Sequence, residues 1–544
     1  MSKLIIKNGT VVDPLNQIEA EKKDILIEEG NVVEKFSDET NIQEIDAKNK
    51  TVIPAALDIH THIASQQMNW VRLLGRKNKQ FTNSWGNLSL STIAKNYVSN
   101  GYTFILEANV FPSLVKQAHL NFKYLPVLDK GISLNVSNLW ALESELNKDK
   151  YKQAAGFLGD LLKKTKSFGL SVANPFEAED WNLKNLRADI GQGGRLYNFT
   201  ALDVYTTLIK TNEYLQLPNP IQIHLEGHES PIGKQNLDLI LKKINAIDLN
   251  SDSSPIMHLV SSSSLNIDGD NSELIKELNT SQKVDIDLGM IGFDAINPLI
   301  TNDRRLYQKY KAAGNKMLQF GVEMEGDMFT GLRTIQKSST LFTKIWANAL
   351  DLALNIEDKW KLQLTFDFPN YSHINNAGRI ATWLLSSTAR KEFSESLNQE
   401  ALSETFIGNE EQLTFSEYII VSRAGPAQSI GLDDIKGNLG VGADGDVNIL
   451  NVDIGKIDPS SDYHDIQDAL NDMEYVVKSG RIIKKKQEFD LNFQGKVFYS
   501  EAKVVEANES LLNKKKEFYA KFGSHFYNQY RTDLPENLLR KISN

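Results

Sequence analysis

From about residue 51 to residue 370, short runs of aliphatic and aromatic residues alternate with longer stretches of helix-like composition. Eight runs follow one another: TVIPAALDIHTH, YTFILEAN, GISLNVS, FGLSVANP, PIQIHLEG, PIMHLVSS, KVDIDLGM and LQLTFDFPN. Near-continuous apolar runs separated by helices suit a parallel sheet, because each crossover takes a dozen or more residues and lays a helix over the sheet. This rhythm predicts an α/β chain whose centre is a (β/α)8 TIM-like barrel. Several runs end in polar residues, and a barrel of this type places its chemistry at the C-terminal ends of its strands.

The two ends of the chain have a different texture. LIIKNGTVVD reads as two strands around an Asn-Gly turn, and DILIEEGNVVEKF as another pair around a glycine. The same texture returns past residue 430, in GNLGVGADGDVNILNVD and YVVKSGRIIKKKQEF. The expectation is one composite β-sandwich built from both termini. The predicted division is 1–52 for its first part, 53–425 for the barrel, 426–500 for its second part, and 501–544 for a helical tail containing SLLNKKKEFYAKFGSHFYNQY.

Composition narrows the chemistry. Sixty Lys and Arg against 70 Asp and Glu give a net charge of −10, which argues against nucleic acid as a partner, since phosphate binding needs a basic surface. Among the 544 residues there is no cysteine, so disulfides, thiolate nucleophiles and thiolate metal sites are excluded. Any metal must rest on nitrogen and oxygen, and nine histidines are available. No apolar run is long enough to span a membrane, and MSKLIIKNGTVVDP lacks the apolar region of a secretory leader. A cytoplasmic enzyme is the expectation.

Five residues stand out at strand ends. His60 and His62 are two residues apart, so in a strand their rings share one face. His224 closes the fifth run, His258 lies in the sixth, and Asp367 closes the eighth. Alone, each has a bland reading: an incidental histidine pair, or a capping aspartate. Together, four imidazoles and a carboxylate suit zinc or a similar borderline metal. Such an ion polarises a carbonyl and acidifies water, and a carboxylate at the last strand can move the proton to a leaving amine. That chemistry is amide hydrolysis or its reverse. His228 is a candidate substrate contact or an ordinary loop residue. His119, His373, His464 and His525 are assigned surface or packing roles.

DIHTHIA, the strand-end histidines, Asp367 and the late GNLGVGADGDVNIL together resemble the amidohydrolase superfamily. Within it, HTHIASQQMNWVRLL, NGYTFILEANVFPSLVKQAH, LPVLDKG and ALDLALNIEDKWKLQLTFDFPN are similar to the family of the alpha subunits of formylmethanofuran dehydrogenase. That family includes the alpha subunit of the bacterial formyltransferase/hydrolase complex. The resemblance implies a metal-bearing barrel beside a composite sandwich, and partner subunits. It also implies a two-zinc site acting on the N-formyl amide of a methanofuran- or methylofuran-like carrier of one-carbon units. Carried over, His60 and His62 would hold one ion, His224 and His258 the other, and Asp367 would be the remaining ligand and the proton shuttle.

One position departs from the pattern. Where the family has a lysine that is carboxylated and bridges the metals, this chain has Ser171 in GLSVANPFE, and serine forms no carbamate. Lys163, Lys164 and Lys166 precede that strand. Three readings follow: a hydrolase with one metal, or with two bridged by Glu107; a metal-poor structural subunit; or a paralogue acting on another amide. For Glu107 the competing role is a supporting carboxylate behind the ligands. Arg72, Arg76, Lys77 and Lys79 follow the histidine pair as a basic loop. It is either solvated or, at Arg72 and Arg76, a contact for the acidic tail of a carrier.

Overall fold

The computed structural model describes residues 2–76, 78–85, 88–176, 189–193, 198–247, 255–267, 270–294, 297–301, 329–405, 411–502, 509–522 and 527–542. Each of the eight apolar runs contains a strand of one parallel sheet. In chain order these are β1 (Ala56–Thr61), β2 (Tyr102–Val110), β3 (Asp129–Asn135), β4 (Gly169–Ala173), β5 (Ile221–His224), β6 (Met257–Leu259), β7 (Val284–Asp287) and β8 (Leu362–Gln363). Every strand pairs with the next in register, such as Asn135 with Ser171, Ser171 with Gln222, and His258 with Asp285. The circle closes where Thr61 bridges Phe368 in parallel and the His62 N–H donates to the Phe368 carbonyl at 2.7 Å. Outward residues such as Leu57, Ile59, Phe104 and Leu106 pack into an apolar layer. On the same strands Asp58, His60 and Glu107 are polar and also buried. That alternation turns the His60 and His62 side chains inward.

The composite terminal domain forms as one hydrogen-bonded sheet of nine strands. Its seam joins Thr51–Pro54 to Val447–Leu450, antiparallel, with Val447 opposite Pro54. Both ends of the chain contribute to its separate core, including Leu4, Ile6, Ile25, Val447 and Val477.

Three boundaries differ from expectation. TVIPAALDIHTH is two strands: Thr51–Pro54 belongs to the terminal sheet and Ala56–Thr61 to the barrel. LIIKNGTVVD is a single strand, Lys3–Asp13, with a register shift between Ile6 and Gly9. A two-residue hairpin turn of the Asn-Gly type needs positive φ at both central positions, but only Asn8 has it (φ 65°), so the pair makes a bulge. The second pair does turn, at Glu29 and Gly30, both with positive φ. Finally, Val497–Ser500, placed in the sandwich by sequence, joins the barrel sheet instead. It pairs with β3 at Lys130 and with Leu539–Ile542, extending that sheet to ten strands. The expected tail helix spans Glu509–Phe522 and docks on the barrel through Lys515, 2.6 Å from Glu145, and through buried Tyr519 stacked on Phe157.

Candidate metal centre

Three of the five expected ligands converge. His62 Nε2 lies 3.3 Å and His60 Nε2 3.5 Å from Asp367 Oδ1, and ligand atoms of the three residues fall within 4.8 Å of one another. Two strand geometries bring this about. The i, i+2 spacing turns both histidines inward, and a left-handed backbone at Asp367 (φ 43°) follows the last strand, a conformation that Asp adopts more readily than most residues. Asn370 Nδ2 donates to Asp367 Oδ2 at 3.2 Å, which leaves Oδ1 facing the rings. His224 joins from β5, its ring 5.1 Å from that of His60 and perpendicular to it.

The fit to a metal can be judged from what these atoms lack. Nε2 of His60, Nε2 of His224 and Oδ1 of Asp367 are buried and make no hydrogen bond. Unpaired buried polar atoms are costly and rare, so a cluster aimed at one space marks a place for a ligand. Imidazole nitrogens with a carboxylate suit a zinc-type ion. Burial, together with the neighbouring histidines, drives the His224 imidazole well below its usual range, towards the neutral form a metal requires. Burial likewise lowers His228 to about 4.

His258 stands differently. Its Nδ1 is 2.9 Å from Asp285 Oδ1 and its Nε2 3.2 Å from Asp287 Oδ2, both on β7. Although burial opposes it, these carboxylates push the imidazole up to about 10. Asp287 also faces His60 Nδ1 at 3.3 Å, and its other oxygen accepts from the Ser261 N–H (2.8 Å) and the Thr365 hydroxyl (2.9 Å). Gly289 (φ +59°) permits this approach, since a Cβ there would stand 2.9 Å from Ser261 Cα. Asp285 and Asp287 were not singled out in the sequence. Their signal was present, because a DID alternation inside an apolar strand is the same period-2 pattern that exposed His60 and His62.

Glu107, named as an alternative bridge, turns its carboxylate to backbone amides. Its Oε2 accepts from the N–H groups of Ile63 and Ala64 and its Oε1 from that of Ser65, so the carboxylate tethers the loop behind the histidine pair. Burial raises it to about 7. Ser171 is fully buried on β4, level with Asn135 and Gln222, and its hydroxyl has no partner. The nearby lysines turn elsewhere: Lys164 pairs with Asp160 and Lys166 with Glu501.

His228 Nδ1 lies 2.7 Å from Ser264 Oγ, and that hydroxyl donates to the Ser261 carbonyl. The hydroxyl proton is thus committed, so His228 donates from Nδ1 and keeps an acceptor at Nε2. Sequence reading also missed a part-buried unit from three distant segments: Arg333 and Tyr371 both hold Glu229 Oε1, at 2.6 and 2.9 Å. The expected basic loop is mostly helical, with Arg72 in the helix Gln66–Gly75 and Lys79 opening the helix Lys79–Trp85; Arg72 donates to the Leu88 carbonyl and to Asn69 but leaves Nη2 buried and unpaired, whereas Arg76 and Lys79 are exposed. Lys77 and His525 lie outside the described residues. His119 and His373 are buried in packing roles, and His464 is exposed on a helix.

The chain is similar to known proteins over nearly its whole length. FwdA of Methanocaldococcus jannaschii is 26% identical, over 97% of this chain and 95% of its own length. The A component of the formyltransferase/hydrolase complex Fhc of Methylorubrum extorquens is 24% identical, over 88% and 89%. The crystal structure of that complex, FhcABCD with methylofuran, contains a chain that superposes with a TM-score of 0.87 at 21% identity, covering 99% of both chains. This last likeness shows the shared fold. The sequence profile of the amidohydrolase family matches residues 43–484, a span that takes in the seam of the terminal sheet and all eight barrel strands with their inward histidines; the chain belongs to the amidohydrolase family.

Proposed function

We propose that this chain is the hydrolytic subunit of a formyltransferase/hydrolase-type assembly. Its substrate would be the N-formyl amide of a furan-containing one-carbon carrier, cleaved to formate and a free amine, or formed in reverse. The observation that carries the reading is the convergence of His60, His62 and Asp367 Oδ1, with His224 beside them, at the mouth of the barrel. The near full-length likeness to FwdA and to the A component of Fhc supports this reading, as does the methylofuran held by the FhcABCD complex.

The residues that would hold zinc are His60, His62, His224 and Asp367, and bound there the ion would polarise the formyl carbonyl and make water nucleophilic at neutral pH. Asp367 Oδ1 takes the proton of the attacking water and delivers it to the amide nitrogen as the C–N bond breaks. Asn370 keeps the other carboxylate oxygen still during that transfer. His228 Nε2 offers an acceptor to the amide N–H or to the incoming water. Arg72 Nη2, buried and unpaired, is the better placed of the basic residues to meet a carboxylate of the carrier.

The test is formate release from formylated carrier by the assembled complex. Asp367→Asn is expected to lower kcat by about 10²- to 10⁴-fold, the usual worth of a positioned proton carrier. Ser171 favours a second reading, a structural subunit; metal-free protein that assembles and releases no formate would establish it.

A further inference from the structure

Accepting the metal-centre reading above, we propose that this chain holds a single divalent metal ion, on His60, His62, His224 and Asp367. In this arrangement Asp287 is the positioning residue that aims His60 at the ion, and His258 holds Asp287 instead of binding a second ion.

A second ion needs its own donors and a carboxylate shared with the first. The chain offers no such bridge among the described residues. Position 171 is a serine, and both oxygens of Glu107 are taken by three backbone N–H groups. His258, the remaining donor, has carboxylates at both nitrogens: Asp285 at 2.9 Å and Asp287 at 3.2 Å. The pairing of β6 with β7 places His258 directly beside Asp285. An ion at His258 would have to displace one of these carboxylates.

Asp287 is built to stay where it is. One oxygen is fixed by the Ser261 N–H and the Thr365 hydroxyl, from the strands on either side. The other faces His258 Nε2 and, at 3.3 Å, His60 Nδ1. A carboxylate at Nδ1 keeps the proton there and leaves the lone pair at Nε2, the atom that faces Asp367. Asp287 therefore governs the tautomer and tilt of one ligand, while His258 Nε2 braces it from the other side. Groups of this kind behind a metal ligand are worth 10–100-fold in metal affinity.

The experiment is a zinc titration of full-length protein, purified with its partner subunits and stripped by chelator. Stoichiometry is read by elemental analysis and affinity by competition with a chromogenic chelator. One tight equivalent is expected for the parent protein and for His258→Gln. Asp287→Asn should keep one equivalent but bind it 10–100-fold more weakly, with partial recovery in Asp287→Glu. Thr365→Val, which removes only one anchor, should give a smaller loss and serves if Asp287→Asn fails to fold. Two tight ions in the parent, falling to one in His258→Gln, would overturn the proposal. So would unchanged affinity in both Asp287→Asn and Thr365→Val. The titration uses no carrier: formate release with two bound ions refutes only the single-ion centre, and one bound ion without formate release refutes only the hydrolytic reading.

Discussion

Among the described residues, two buried clusters each bring three histidine or aspartate side chains close enough to hold a cation, and they have opposite characters. At the barrel mouth, His60, His62 and Asp367 meet with ring nitrogens and a carboxylate oxygen left over. At the other end of the same sheet, Asp129 from β3 meets Asp444 and Asp446. There the cations are part of the chain. Lys436 Nζ lies 2.6–2.7 Å from all three carboxylates, Lys478 2.5 and 2.7 Å from Asp129 and Asp446, and Arg540 2.6 Å from Asp444. The lesson is that a count of acidic residues does not identify a metal site. What separates the two is whether the donors already have partners.

That contrast can be broken in solution. His60→Ala is expected to lower metal affinity by at least about 100-fold while leaving the metal-free unfolding midpoint nearly unchanged. Asp446→Ala should do the reverse, keeping the metal and losing about 3–5 kcal/mol of stability, because two ammonium groups are left buried without enough countercharge. If Asp446→Ala sheds metal, or His60→Ala unfolds the chain, the two clusters are not separable.

A smaller effect separates histidines held for chemistry from those held for packing. His119 is buried against Phe122 with Nε2 2.8 Å from the Thr165 carbonyl, and burial lowers its pKa to about 4. A depressed histidine binds its proton less readily folded than unfolded, so stability falls as pH drops from 6.5 towards 4. The full loss would be about 3 kcal/mol. His119→Leu should flatten that slope in denaturant titrations, and an unaltered slope would place the acid sensitivity elsewhere. The smallest expected difference concerns carrier affinity. Arg72→Gln should raise KM about tenfold for carriers bearing carboxylates, in line with one charged hydrogen bond, whereas Arg76→Gln should change it less than twofold. Equal effects would spread the role over the whole basic segment.

How much of this was legible depends on the distance over which the signal acts. The eight barrel strands could be read because burial on both faces writes itself into each run locally. His60 and His62 were visible for the same reason, two polar residues in phase within an apolar strand. Asp285 and Asp287 carried that signal too, but aspartates near a strand end pass easily for turn residues. The Lys436–Asp129 pair, 307 residues apart, and the Arg333–Glu229–Tyr371 unit left no local trace, since their polar groups are satisfied only after the chain has folded. The Asn8-Gly9 bulge was misjudged because the dipeptide reports backbone freedom, while the pairing of Lys3–Asp13 with Ile18–Glu28 decides how that freedom is used.

The seam between Thr51–Pro54 and Val447–Leu450 also sets a timetable for synthesis. At about 5–20 residues per second, the second strand leaves the ribosome roughly 20–80 s after the first. Until then one edge of the N-terminal sheet is open, with Val52 and Ile53 lacking the cover they have when folded. The nascent chain must therefore carry an adhesive strand through the entire translation of the barrel. Slow elongation would be expected to lower the yield of native protein, and co-expressed holdase chaperones to raise it.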